Sequence, residues 1–348
     1  MKGPLEVFVR PSSALGAGSL PFVVDGPDTE ADVLSPSERA LLAQVLDARP
    51  IDPATRLQAL LGTRVGRYQI EALLGAGGMG AVYRAMDGET RAPVALKLLH
   101  PTALGGKDER QYLEFRKRFR GEARRGLMVA HPGVARVYDA GEIDGHLFIA
   151  MEFIEGYTLR REIRRPTAPE LPRRLSMLRQ VADVLAAVHL QNLVHRDIKP
   201  DNVMVADGGK IKLLDFGLAR FTKSPARELQ GASDWTTQVA TRGGVILGTP
   251  HYMAPEQVLG QRLTPAADIF ALGITAFEFL SGERPFRGAN SMHVMLSIAR
   301  DEPLRLEDTF PEATPAVCEL VAGCLHKDPL ERPSAEALER QLAAVAVA

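Results

Sequence analysis

"ALLGAGGMGAVYRA", Ala72 to Ala85, is the stretch on which the fold turns. Gly75, Gly77 and Gly80 spell G-x-G-x-x-G, a pattern shared by dinucleotide-binding turns and by hairpins that lie over phosphates. A dinucleotide turn opens a helix directly after its glycines and wants an acidic residue about 20 positions on. Here Gly80 runs into Ala81, Val82 and Tyr83, β-formers that predict a returning strand, and Lys97 stands near the acidic position. Neither requirement is met. The P-loop pattern fails as well, because no Lys-Ser or Lys-Thr closes the run. A hairpin remains, with a glycine tip whose backbone N–H groups can approach an anion closely.

The flanks extend this prediction. "RYQIEALLGA" and "GAVYRAMD" are apolar runs on either side of the glycines, and "APVALKLLH" is a third strand candidate. "DERQYLEFRKRFRGEARRGLMVA" is long, charged and helical in composition. "GVARVYDAGEIDGHLFIAMEFI" predicts two strands joined through Gly-Glu-Ile-Asp-Gly. After Gly156 the spacing is helical in "RRLSMLRQVADVLAAVHLQNL", "PAADIFALGITAFEFLSG", "SMHVMLSIARDE", "PAVCELVAGCLHKD" and "SAEALERQLAAVAV". A strand-rich part followed by a helix-rich part predicts an α+β protein in two lobes and argues against a doubly wound sheet.

Composition bounds the function. The chain has 348 residues, 45% hydrophobic and 24% charged, as in an ordinary soluble globular protein with a substantial core. A formal net charge of -1 argues against a mainly electrostatic attraction to nucleic acid or anionic membrane. No stretch approaches the roughly 20 apolar residues of a membrane helix, and the N-terminus has no long apolar run of a signal peptide. Cys318 and Cys324, six apart on one predicted helix, fit neither metal ligation nor a disulfide framework and point to a reducing cytoplasm. Residues 1–62 are rich in Pro, Gly, Ser and Asp, and are expected to be an extension, partly disordered. "SPSERALLAQVLDA" within it predicts one short helix with Ser35 as N-cap, and a small helical docking piece is the alternative.

A phosphate-covering hairpin predicts further residues. "VALK" puts Lys97 on the next strand, able to reach phosphates, and "FRGEARR" offers Glu122 as its ionic partner. Then come "HRDIKPDN" (His195 to Asn202), "DFG" (Asp215 to Gly217) and "APE" (Ala254 to Glu256), in that order. With these motifs the chain resembles a serine/threonine protein kinase, and "GAGGMGAVY" with "GTPHYMAPEQ" is similar to the bacterial, Hanks-type branch. The resemblance runs from about Tyr68 to about Leu342 and implies a kinase domain over 63–345, with an N-lobe at 63–154 and a C-lobe at 155–345.

The resemblance implies transfer of the ATP γ-phosphoryl group to Ser or Thr of protein substrates, with Mg²⁺, or Mn²⁺ in its place. It implies that Asp197 takes the substrate hydroxyl proton and Lys199 neutralises charge on the transferring group, while Asn202 and Asp215 hold the metal. By the same resemblance Gly75, Ala76, Gly77, Gly78, Met79 and Gly80 are expected to form the lid on ATP. It also implies Val82 and Ala95 above the adenine, Met204 below, Met151 at the gate, and backbone hydrogen bonds from Glu152 to Ile154. Glu109 and Glu114 compete with Glu122, which the spacing to His131 and Pro132 favours; "LGGKDERQ" is then an insertion. His195 is implied to pack and hydrogen-bond, not to act as a base.

Arg196 is a natural receiver for a phosphate on the segment from Asp215 to Glu256, where Thr236, Thr237 and Thr241 are the phosphorylation candidates. Thr249 is implied to contact the catalytic loop, Asp268 to brace it, and Glu256 with Arg332 to form a buried ion pair. Autophosphorylation in trans would bring two copies together. A binding-only relative would show damage at Lys97, Asp197 or Asp215, and none is present. A small-molecule phosphotransferase would lack the segment ending in A-P-E.

Overall fold

The apolar runs around the glycines fold as antiparallel strands. The computed structural model describes residues 58–77, 80–99, 131–143, 146–215 and 250–345. These divide into two units, one made of 58–77, 80–99 and Val137–Glu155, the other of 131–136 with the described residues from Gly156 onward. The helix expected between Lys97 and His131 and the extension up to residue 57 lie outside the described residues.

In the first unit, strands β1 (Arg64–Val65), β2 (Tyr68–Gly77), β3 (Gly80–Asp87), β4 (Pro93–Leu99), β5 (Val137–Ile143) and β6 (His146–Glu152) form one sheet in the order β1-β2-β3-β4-β6-β5. Burial alternates along β3: Ala81, Tyr83, Ala85 and Asp87 are buried and the residues between them are not. That period of two assigns the sheet's faces. Tyr68, Ile70, Tyr83, Leu96, Leu98, Phe148 and Ala150 pack on one face as the unit's core. The β3–β4 turn is held by Asp87, whose carboxylate accepts the Glu89 and Thr90 N–H groups at 2.8 and 3.3 Å. The joint between β5 and β6 is shorter than the sequence predicts. Gly141, Glu142 and Ile143 continue β5 and pair with Phe148, Leu147 and His146, because their ladder bonds are worth more than an open loop.

Gly80 is the glycine of the motif that the fold itself requires. Its φ is +139°, and a Cβ there would lie 1.9 Å from the Leu98 carbonyl oxygen. At Gly75 and Gly77 a Cβ would meet nothing within 4 Å among the described residues. Gly80→Ala is therefore expected to cost about 2–3 kcal/mol of stability. Gly75→Ala and Gly77→Ala should leave stability within about 0.5 kcal/mol. Thermal melts on the three variants separate these outcomes.

The second unit is helical around a small sheet of β7 (Gly156–Thr158), β8 (Val203–Ala206) and β9 (Ile211–Leu213). Its helices are α1 (Leu159–Ile163), α2 (Leu171–His189), α3 (Pro255–Val258), α4 (Ala266–Ser281), α5 (Ser291–Arg300), α6 (Leu306–Thr309), α7 (Pro315–Cys324) and α8 (Ala335–Val345). Local chemistry sets their ends. Thr158, Asn290 and Thr314 accept first-turn N–H groups of α1, α5 and α7, and Gly282 ends α4 at φ 79°. The helix α4 is buried from Ala267 to Leu280, and α2, α7 and α8 contribute to the same core. The segment 131–136, which the sequence assigns to the strand-rich lobe, packs in this unit: Leu213 N–H donates to the Gly133 carbonyl at 2.7 Å, and Ala135 N–H to Leu213 at 2.9 Å. Among the described residues no helix is long and apolar enough to cross a membrane.

Candidate active site

The first unit brings a set of predicted residues to one face of its sheet. Across the ladder Gly75 pairs with Val82, Val82 with Lys97, and Lys97 with Ile149. One row on, Ala95 pairs with Met151. Directly opposite residues share a face, so Val82, Ala95, Lys97 and Met151 stand together on the face opposite the core cluster. Lys97 is 6% exposed, and Ala95 and Met151 are also buried. A lysine is rarely so buried without a task for its charge. Ala76 and Gly77 run along the hairpin arm opposite Ala81 and Gly80, and Glu152 ends β6, with Ile154 two residues beyond. Gly78, Met79 and Glu122 lie outside the described residues.

The second unit holds the polar centre. Asp197 Oδ2 accepts Lys199 Nζ at 2.7 Å and Asn202 Nδ2 at 2.9 Å. The same Asn202 amide donates to the Asp197 carbonyl at 2.9 Å. The three side chains therefore form one hydrogen-bonded unit. Asn202 is buried in the turn Pro200–Asn202 that leads into β8, where Met204 faces away from the core residues Val203 and Val205. Leu214 N–H donates to the Asn202 carbonyl at 2.8 Å. That bond ties the turn to the end of β9, next to Asp215.

Two of the four non-glycine residues with positive φ among those described are here: Arg196 at 70° and Asp215 at 57°. Such backbone costs of order 1–2 kcal/mol each and persists only where neighbours over-determine it. At Arg196 they do. Its N–H donates to Asp268 Oδ1 at 2.7 Å, and its carbonyl accepts Gln257 Nε2 at 3.2 Å. Asp268, fully buried on α4, also accepts the His195 N–H at 2.7 Å and contacts His189 Nε2 at 2.9 Å. The His195 ring is spent on the Leu214 carbonyl at 2.9 Å and on the Asp197 N–H. It therefore orients both turns instead of facing a reactant.

Glu256 and Arg332 form a two-pronged ion pair at 2.7 and 2.9 Å with side chains 2% and 0% exposed. Thr236, Thr237, Thr241 and Thr249 lie outside the described residues. Sequence reasoning missed Gln257, which bonds the Arg196 carbonyl, His189, which bonds Asp268, and Arg160, which bonds Asp201. Gln257 carries a signal in hindsight, since it directly follows the A-P-E motif.

The donor set fits a hard divalent ion. The Asn202 amide nitrogen is committed to Asp197, which leaves its oxygen able to ligate an ion, and Asp215 could add a carboxylate. Among the described residues no group of three or more His, Cys, Asp or Glu could hold a metal. Such an ion would complete its shell with water and phosphate oxygens, as Mg²⁺ does.

Residues 68–342 match the family described as "Protein kinase domain". Over 275 residues the chain is 34% identical to serine/threonine-protein kinase PknA of Mycobacterium tuberculosis, a stretch that covers 78% of this chain and 59% of that protein. It is 35% identical over 285 residues to serine/threonine-protein kinase PrkC of Bacillus subtilis, covering 81% and 41%. With serine/threonine-protein kinase pkn2 of Myxococcus xanthus the identity is 36% over 285 residues, covering 80% and 32%. The match thus spans between a third and three fifths of the length of these relatives.

Proposed function

Since the chain belongs to the protein kinase family, we propose that it transfers the γ-phosphoryl group of ATP to Ser or Thr of protein substrates, itself included. The observation that carries this is the Asp197–Lys199–Asn202 body, with both donors on one carboxylate oxygen. Asp197 takes the proton of the acceptor hydroxyl. Lys199, already 2.7 Å from that carboxylate, brings a cation to where charge develops. Asn202 and Asp215 hold Mg²⁺, or Mn²⁺ in its place. When bound, ATP and the ion supply the transferable phosphoryl group and the neutralisation of its charge.

The glycine hairpin Gly75–Gly80 and Lys97 bind phosphates, with Glu122 as the lysine's partner. Val82, Ala95, Met151 and Met204 contact the adenine, and Glu152 to Ile154 offer it backbone hydrogen bonds. The domain is taken as 63–345, with residues 1–62 as an extension whose last stretch, 58–62, packs into the first unit through buried Leu60. Arg196 receives phosphate from Thr236, Thr237 or Thr241, added by a second copy. Thr249 contacts the catalytic loop. The compartment is the reducing cytoplasm, a reading supported by two free cysteines, of which burial pushes the Cys324 thiol up to about 12.

The test is label transfer from ATP to the chain and to a generic protein, with Mg²⁺, with Mn²⁺ and with chelator. Both metals should support transfer and chelator should abolish it. Lys97→Met should lower kcat/KM by about 10²-fold and weaken nucleotide binding. Transfer that persists unchanged in chelator would overturn the reading.

A further inference from the structure

Side chains from four elements meet beside the turn that carries Asp197. Asp201, in the turn Pro200–Asn202, is half-exposed, at 51% for its side chain. Glu278 on α4 is 6% exposed, and Tyr252 is buried. Arg160 of α1 sits among them, its side chain 13% exposed. Its Nη2 reaches Asp201 Oδ2 at 3.1 Å and its Nη1 reaches Glu278 Oε1 at 2.6 Å. Nη2 also donates to the Tyr252 hydroxyl, which in turn donates to Glu278 Oε2. The guanidinium carbon lies 5.8 Å from the Tyr252 ring centroid. Two carboxylates, a hydroxyl and an aromatic face make a seat shaped for a guanidinium.

The seat is close to the chemistry. Asp201 follows Asp197 by four residues, so their Cα atoms are at most about 14 Å apart. A peptide whose hydroxyl meets Asp197 carries neighbouring side chains within reach of the seat. We propose that Arg160 is a specificity-determining residue: it fills, from within the chain, the seat that Asp201 and Glu278 would otherwise offer to a basic side chain of the substrate. The enzyme then does not select Arg or Lys beside its acceptor Ser or Thr. The inference rests on the kinase reading above.

The surroundings agree with a seat already neutralised. Arg284 Nε adds a second cation 3.3 Å from Glu278 Oε1. Burial first, and then Arg284, hold the neighbouring His251 imidazole below its ordinary value against the pull of Glu278. An additional substrate cation would meet Arg160 and Arg284 before it met an uncompensated carboxylate. A purely bracing role for Arg160 would look the same in the structure but not in the kinetics.

The experiment uses three peptides that share one acceptor and differ only in neutral, Arg or Glu flanks. Native protein should phosphorylate the Arg-flanked peptide no better than the neutral one. Arg160→Gln should raise the ratio of kcat/KM for Arg over neutral by about thirtyfold, the low end for a buried charge pair, mostly through KM. Adding Asp201→Asn should erase the gain, and Arg160→Lys should keep the native ratio. Because Arg160→Gln can lose stability, its melting temperature is also read with N-acetyl-arginine amide, which should raise it while leaving native protein unmoved.

Native selection of the Arg-flanked peptide would overturn the proposal. An equal loss on all three peptides with no rise in melting temperature would overturn it too. If native protein labels no peptide, the kinase reading stands only on label transfer to the chain itself and falls without it. The seat is then judged on the arginine amide: a rise supports it and no rise overturns it.

Discussion

Asp197→Asn is expected to lower kcat by about 10³-fold or more, with KM for ATP and the melting temperature near native. The substitution keeps shape and removes only the carboxylate proposed to accept the proton. Lys199 Nζ and Asn202 Nδ2 both donate to Asp197 Oδ2, at 2.7 and 2.9 Å. An amide oxygen in that place still accepts from both, so the turn should hold. The loss then falls on the proton's destination and on the charge that steadies the acceptor hydroxyl. Label transfer gives kcat, a thermal melt gives stability, and mass spectrometry of the expressed protein shows whether Thr236, Thr237 or Thr241 loses phosphate with the activity. Label incorporation that survives Asp197→Asn would sink the mechanism. A melt that falls by many degrees would show that the carboxylate is first of all a structural anchor.

The parts legible in the sequence are those fixed by local chemistry. The strand after Gly80 could be read because Ala81, Val82 and Tyr83 are β-formers, and they lie in β3, with Val82 opposite Lys97. The helices after Gly156 could be read from apolar spacing, as α2 and α4 show. The backbone states of Arg196 and Asp215 could not. An arginine has no local preference for φ near 70°; it is held there by Asp268 and Gln257, which lie 72 and 61 residues away in sequence. Arg160 was illegible for the same reason. Its partner Glu278 is 118 residues distant, and α1 alone presents it as one more helical cation. The joint at Gly141 misled because glycine reads as a turn, while ladder pairing with Phe148 keeps it in β5. Local propensity thus located the elements, and long-range hydrogen bonds decided which side chains serve the site.

Arg332→Ala is expected to cost about 3–5 kcal/mol, the largest stability loss among these variants. All five N–H donors of this side chain are engaged. Nη1 reaches Glu256 Oε1 and the Ala266 carbonyl, at 2.7 and 2.8 Å. Nη2 reaches Glu256 Oε2 and the Lys327 carbonyl, at 2.9 and 3.0 Å, and Nε reaches the His326 carbonyl at 2.8 Å. Truncation would leave a buried carboxylate and three carbonyls without this donor, and desolvated charge without a partner is the costly case. For a unit of this size the melting temperature should fall by about 10 °C or more.

Arg332→Lys should recover little, since an ammonium cannot reproduce a planar fork of five donors. The paired change Arg332→Met with Glu256→Leu should cost less than Arg332→Met alone, because it removes the stranded charge together with its partner. If the double variant were instead the sum of the two single ones, the pair would not be coupled. The same pair bears on activity through α3. Glu256 is followed by Gln257, whose amide holds the carbonyl of left-handed Arg196. An unanchored α3 frees that backbone to relax, and Asp197 moves with it. Arg332→Ala should therefore lose kcat at temperatures well below its own melt, whereas a variant destabilised elsewhere in the helical core should not.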